Sequence, residues 1–217
     1  MRIGILGSGL MGGKLGTLFA RAGHEVVFSY SRSQQKLKKL AKDAGRNGRA
    51  GTPADAAKDA DAVLLAVHWS RVDDVLKQAG DLHGKIIVTC SLPMTDDDSG
   101  LAIAHISSGA EELAKKVPGG RVVSAFGTVP SEVLFGVYDA RRRKTGRPSL
   151  VYYGDDAVAK KTAATLIRDV GFDSVDAGPL RIGRYAEPFA LLVAQLAYEG
   201  DGGPELAYWI RRVAGKT

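Results

Sequence analysis

Arg2-Ile3-Gly4-Ile5-Leu6-Gly7-Ser8-Gly9-Leu10-Met11-Gly12 opens the chain as an apolar strand running into three spaced glycines, and Leu15, Leu18 and Phe19 follow at helical spacing. A strand, a glycine turn and a helix are what a dinucleotide pyrophosphate needs. Gly7 permits the turn, Gly9 lets the backbone approach the phosphates and Gly12 lets helix and strand pack closely. Unpaired N–H groups and the positive dipole end of the helix then face the anion. A second strand, Glu25 to Tyr30, returns at the distance the motif requires.

The end of that second strand selects the nucleotide. An NAD site carries an acid there to hold the ribose hydroxyls, but this strand ends Ser29-Tyr30-Ser31-Arg32-Ser33, with no acidic residue between Glu25 and Asp43. Hydroxyls and cations stand in its place, and an arginine fork against a 2′-phosphate is a charge-assisted, selective contact. The expected cofactor is NADP(H), with Arg32 and Lys36 on the phosphate. Lys38, Lys39 and Lys42 read as a solvated helix face.

Working outward, helix spans Ser33 to Ala44, and Thr52-Pro53 starts another with Thr52 as cap. Ala62 to Val67 is an apolar run suited to a central parallel strand. Ser70 to Asp73 predicts a capped helix start, Lys85 to Cys90 a strand, Gly109 to Lys116 a helix and Arg121 to Phe126 a strand. Beyond a basic loop, Leu150 to Tyr153 is a strand, Asp155 to Val170 a helix capped by Asp155, and Phe172 to Asp176 a last strand. The fold class is α/β, a Rossmann-type doubly wound, mainly parallel sheet over residues 1–183. Residues 184–217 form a short helical extension: Phe189 to Tyr198 reads as a helix apolar nearly all round, and a second helix follows the break at Gly200 to Pro204. An all-apolar helix needs cover, which predicts a cap on the sheet or a homodimer interface.

With 217 residues, 45% of them hydrophobic, the chain suffices for one substantial core and not for two full-sized domains. Its single cysteine, Cys90, excludes an internal disulfide, offers no metal cluster and fits a reducing cytoplasm. Nothing reads as a membrane span or a signal peptide. Of the net charge of +6, much sits in one loop, where Arg141, Arg142, Arg143, Lys144 and Arg147 face the single acid Asp139. No aromatic interleaving or nucleic-acid motif accompanies them, so nucleic acid is not the expected partner. The loop reads as a solubilising surface first and as a dock for an anionic small molecule second.

The loops after successive strands, Val67-His68-Trp69, Ser91-Leu92-Pro93-Met94 and Phe126 to Pro130, should form the site. They hold few titratable groups. His68 is the candidate catalytic residue, a backbone-satisfied histidine being the alternative, and no Lys or Tyr stands in these loops as a carbonyl reductase would want. Such a site suits direct hydride transfer between two redox molecules, the protein supplying position and stacking surfaces.

Gly7-x-Gly9-x-x-Gly12, Gly23-His24-Glu25-Val26-Val27, Ser31-Arg32-x-x-x-Lys36, Val122 to Pro130, Gly154-Asp155-Asp156 and Val175 to Leu180 together resemble the coenzyme F420-dependent NADP oxidoreductase family. The resemblance extends over essentially the whole chain, and the stretch from Gly154 through Arg184 to Glu187 is its least generic part. Members move a hydride between NADPH and the deazaflavin F420, and relatives with the same domain reduce ferric iron through a flavin. The resemblance implies that Ser8, Gly9, Leu10 and Met11 hold the pyrophosphate and that Ser31, Arg32 and Lys36 hold the 2′-phosphate. It implies too that Val67, His68, Val129 and Ser131 line the nicotinamide and its contact with the deazaflavin. Archaeal members carry Pro at the position of His68 and His at that of Gly127; many bacterial relatives carry Asn at those of Leu92 and Gly127. The NADP half is thus intact and the acceptor half altered. An NADPH-dependent flavin, ferric or other small-acceptor reductase, and a protein that senses NADPH without turnover, are the other two readings.

Overall fold

The computed structural model describes residues 1–142 and 146–213. Arg143 and Lys144 of the basic loop lie outside them. Eight strands form one sheet in the order β3-β2-β1-β4-β5-β6-β7-β8: β1 (Arg2–Leu6), β2 (Glu25–Ser29), β3 (Gly48–Ala50), β4 (Ala62–Leu65), β5 (Ile86–Thr89), β6 (Arg121–Ser124), β7 (Ser149–Gly154) and β8 (Asp173–Asp176). The first six run parallel; β7 pairs antiparallel with β6, and β8 parallel with β7. The chain winds outward through β2 and β3, then returns past β1 to β4. The carboxyl ends of β1 and β4 therefore flank the switch point where an open α/β sheet binds ligands.

Alternation along the strands feeds two cores. Ile3, Ile5, Phe28, Leu64, Val88 and Val123 point to one face with α1 (Leu10–Arg21), α2 (Gln34–Asp43), α6 (Val133–Ala140) and α7 (Ala157–Asp169). Leu6, Val27, Val63, Leu65 and Ile87 point to the other, covered by α3 (Pro53–Lys58), α4 (Val72–Ala79) and α5 (Gly109–Lys116). Thr52 caps α3 in a reciprocal box with Asp55, and Ser108 caps α5.

Several expectations need correction. Ser70 does not cap α4; a 3-10 turn at Trp69–Arg71 intervenes, capped by the His68 ring. Asp156, not Asp155, caps α7, while Asp155 accepts the Leu180 N–H at 2.8 Å and ties β7 to the next turn. Neither β3 nor α6 was expected. The final helix, α8 (Gly183–Tyr198), buries Ala186, Glu187, Ala190, Val193 and Ala197, yet Leu192, Leu196 and Tyr198 are more than half exposed, so it is covered on one side only. Among the described residues no second helix follows it: 205–213 form neither helix nor named strand. Ser149 N–H donates to the Tyr208 carbonyl (2.8 Å), Val151 N–H to the Tyr208 hydroxyl (3.1 Å) and Ile210 N–H to Ser149 Oγ (2.9 Å). The ladder between β6 and β7 covers only Tyr153 and Gly154, and the buried amides earlier in β7 need acceptors that a helix could not supply.

Among the described residues no helix is long and apolar enough to cross a membrane, and no three potential ligands cluster to hold a metal ion.

Candidate functional site

At the switch point Gly7 turns the chain with φ of +114°, and a Cβ there would lie 2.4 Å from the Ala66 carbonyl oxygen. A Cβ on Gly12 would meet the Gly7 carbonyl oxygen at 1.9 Å, so the helix can sit this close to the turn only without one. Around Gly9 the same space is open, with nothing within 4 Å. Ser8 is buried, its N–H donating to the Tyr30 carbonyl (3.2 Å) and its hydroxyl to the Ser29 carbonyl (2.8 Å). It holds the turn against β2. The N–H groups of Gly9, Leu10, Met11 and Gly12 have no acceptor among the described residues, which leaves a donor cradle at the positive end of α1.

From this cradle a cleft of about 610 Å³ runs to the end of β2, lined by Gly7, Ser8, Gly9, Ser31, Arg32 and Lys36. Arg32 and Lys36 are exposed and in no ion pair among the described residues. Arg71 joins them from the loop after β4. This third cation was missed, although the sheet order that places β4 beside β1 would have pointed to it. Tyr30 sits in the left-handed region (φ 54°), a conformation that costs a non-glycine residue about 1 kcal/mol or more. Its hydroxyl donates to Asp74 at 2.5 Å. Burial, then the Asp74 bond and charge, push the phenol up to about 12, while the bonds from Tyr30 and Gln78 hold Asp74 below the usual carboxylate range.

A second compartment of about 420 Å³ shares Gly9, Ala66, Val67 and His68 with the first and turns toward α8. Its walls are mainly apolar: Met11, Cys90, Leu92, Val129, Ala190 and Val193 among others. A Cβ at Gly127 would stand 3.5 Å from Leu92 Cδ2, so Leu92 already fills that corner. Burial pushes the Cys90 thiol up to about 12, which leaves no thiolate for chemistry. His68 lies where the two compartments meet, and both its ring nitrogens are engaged. Nδ1 lies 2.8 Å from Ser70 Oγ and 3.3 Å from the Ser70 backbone nitrogen, and Nε2 lies 3.1 Å from an Asp98 carboxylate oxygen. That contact ties the long loop after β5 to the loop after β4 across the cleft.

Groups that the sequence reading did not connect meet at the rim. No Lys or Tyr belongs to these loops themselves, but Lys14 arrives from α1 and Tyr198 from the end of α8 to join Ser131 and Glu132. Helical spacing places Lys14 one turn beyond Leu10 and Met11, a signal present in the sequence. The position of Tyr198 depends on tertiary packing and had none. Deeper in, Glu187 is 2% exposed and accepts the N–H groups of Gly109 (2.7 Å) and Ala110 (3.0 Å), fastening α8 to the start of α5. Burial dominates and lifts its carboxyl to about 7 against those bonds.

Residues 2–93 match the family described as NADP oxidoreductase, coenzyme F420-dependent. An F420-dependent NADP reductase of Methanothermobacter thermautotrophicus is 31% identical over 152 residues, 63% of this chain; the match spans 65% of that relative's length. Among solved structures, a candidate F420-dependent NADP reductase from Arthrobacter sp. FB24 superposes with a TM-score of 0.84 at 25% identity, over 98% of this chain and 100% of that one. A hypothetical protein from Sinorhizobium meliloti gives 0.75 at 27%, covering 97% and 96%. The Rossmann-like fold and the resemblance carried by the motifs are what these comparisons return.

Proposed function

We propose that the chain is an NADP(H)-dependent oxidoreductase that transfers a hydride between NADPH and a planar acceptor, the deazaflavin F420. The observation that carries this reading is the pair of contiguous compartments meeting at Gly9, Ala66, Val67 and His68, one polar and cationic, the other apolar. The residues fit the nucleotide. Unpaired N–H groups of Gly9, Leu10 and Met11 suit a pyrophosphate, the open space at Gly9 leaves it room, and Ser31, Arg32, Lys36 and Arg71 suit a 2′-phosphate. When bound, the dihydronicotinamide supplies the hydride. Val67 and Val129 would hold it, the apolar walls would exclude water, and His68 fixes the loop after β5 through Asp98.

The family name of residues 2–93 and of the relatives supports F420 as acceptor. The exposed Leu192, Leu196 and Tyr198 on α8 support a homodimer closing that face, and a half-buried single cysteine suits a reducing cytoplasm.

The test is anaerobic incubation with NADPH and F420, following deazaflavin absorbance, with FMN and FAD in parallel. Bleaching of F420 is expected. Oxidation of NADPH by a flavin alone would move the assignment to a flavin reductase, and tight NADPH binding without turnover would leave a sensor.

A further inference from the structure

Four side chains from three distant segments converge at the rim of the apolar compartment. Lys14 Nζ donates to Ser131 Oγ at 3.0 Å, the Ser131 hydroxyl donates to Glu132 Oε1 at 3.2 Å, and the Tyr198 hydroxyl donates to Glu132 Oε2 at 2.9 Å. Lys14 and Glu132 also stand 3.8 Å apart as an ion pair, each side chain 25% exposed. Ser131 and Tyr198 line the compartment, whereas Lys14 stands behind Ser131.

We propose that Lys14 and Ser131 form a proton relay serving the acceptor. This rests on the oxidoreductase reading above and extends it to the class of acceptor: a conjugated ring system or dicarbonyl that takes hydride at one atom and must gain a proton at a nitrogen or oxygen conjugated with it. The balance is complete. The C–H bond of the dihydronicotinamide breaks, the hydride forms a new bond on the acceptor (to carbon in a deazaflavin, to a ring nitrogen in a flavin), and the acceptor's π pair moves to a conjugated nitrogen or oxygen. That atom takes the Ser131 hydroxyl proton, Ser131 Oγ takes one from the Lys14 ammonium, and Lys14 is reprotonated by solvent through its exposed fraction. A hydroxyl has one donor and two acceptor lone pairs, so Ser131 can receive from Lys14 while its own proton turns from Glu132 to the ligand. Glu132 and Tyr198 are positioning residues: the carboxylate faces the ammonium, and the phenol holds its second oxygen.

The test uses the full chain with NADPH and three acceptors that each take up a proton, F420, FMN and 9,10-phenanthrenequinone. Ser131→Ala and Lys14→Met should each slow hydride transfer about a hundredfold, with NADPH affinity changed less than about twofold. Lys14→Arg separates the proton from the charge, because a guanidinium keeps its proton; it should be as slow as Lys14→Met. Full rate in Lys14→Arg, or a loss of NADPH affinity matching the loss of rate in Ser131→Ala, overturns the relay and leaves the oxidoreductase reading intact. Failure of wild type to reduce all three acceptors while binding NADPH overturns both. A readout independent of turnover is the 15N signal of the Lys14 ammonium in the nucleotide-free protein. It should shift in Ser131→Ala, and an unmoved signal would break the first link of the relay.

Discussion

Apart from Arg71, the phosphate end of the cleft is written in residues 7–36, one strand-helix-strand unit whose donors and cations are neighbours in sequence; the acceptor end gathers Cys90, Ser131 and Tyr198 from segments far apart and reaches Lys14 only through Ser131. The first is specified by backbone geometry, which glycine spacing fixes locally. The second is specified by which helices happen to close over it. A nucleotide site of this kind survives changes elsewhere in the chain, whereas an acceptor site can be rebuilt by shifting one helix.

Breaking the local end should have the largest effect. Gly9→Val fills the open space before the cradle and should weaken NADPH by roughly 3 kcal/mol or more, over a hundredfold, while the melting transition stays in place. Retained affinity in a folded variant would remove the cradle from the nucleotide site. Arg32→Ala should cost about 1.5–3 kcal/mol for NADPH and far less for NADH, measured by fluorescence titration of each. Equal losses would mean that the cation end does not read the phosphate.

The distributed end is probed through its fastenings. Glu187 has a carboxyl raised in the folded state, so the folded protein binds more protons than the unfolded one. Its stabilising share is whole below the ordinary carboxylate range and is lost as pH climbs through about 7. Glu187→Gln, which cannot titrate, should therefore gain on wild type by on the order of 2 kcal/mol between about pH 5 and pH 8, read from urea midpoints. A difference that stays constant with pH would show that α8 is not held by an ionisable contact. The smallest effect is expected of Tyr208→Phe, about 1 kcal/mol, because it leaves the Val151 N–H and Thr128 without their partner while Phe189 still packs on the ring. No measurable loss would mean that the segment after Pro204 adds little to β7.

The same contrast explains what was legible. Strands β1, β2, β4, β5 and β6, the cap of α3, and Ser8 to Met11, Ser31, Arg32 and Lys36 at the phosphate end follow from patterns shorter than one supersecondary unit. The sequence after Pro204 predicts a helix because its own residues do not reveal that the amides of β7 bond to Tyr208. Asp155 and Asp156 are adjacent acids, either able to cap α7, and the choice was made by Leu180, a residue of the following turn. Arg71 and Tyr198 join the cleft through sheet order and helix direction, neither of which a local window contains.

The reversal of β7 and β8 has an electrical consequence. The chain then runs up through α8, whose last residue, Tyr198, lines the same compartment as Gly9, Leu10 and Met11 at the first turn of α1. Helix termini carry roughly half a charge, positive at the start and negative at the end. A molecule in this cleft lies between poles of opposite sign, the positive one at the pyrophosphate cradle and the negative one beside the acceptor rim. On the proposed function, a ring left cationic by loss of hydride would be favoured toward the second pole, and the two helices give the cleft a built-in polarity before any side chain ionises.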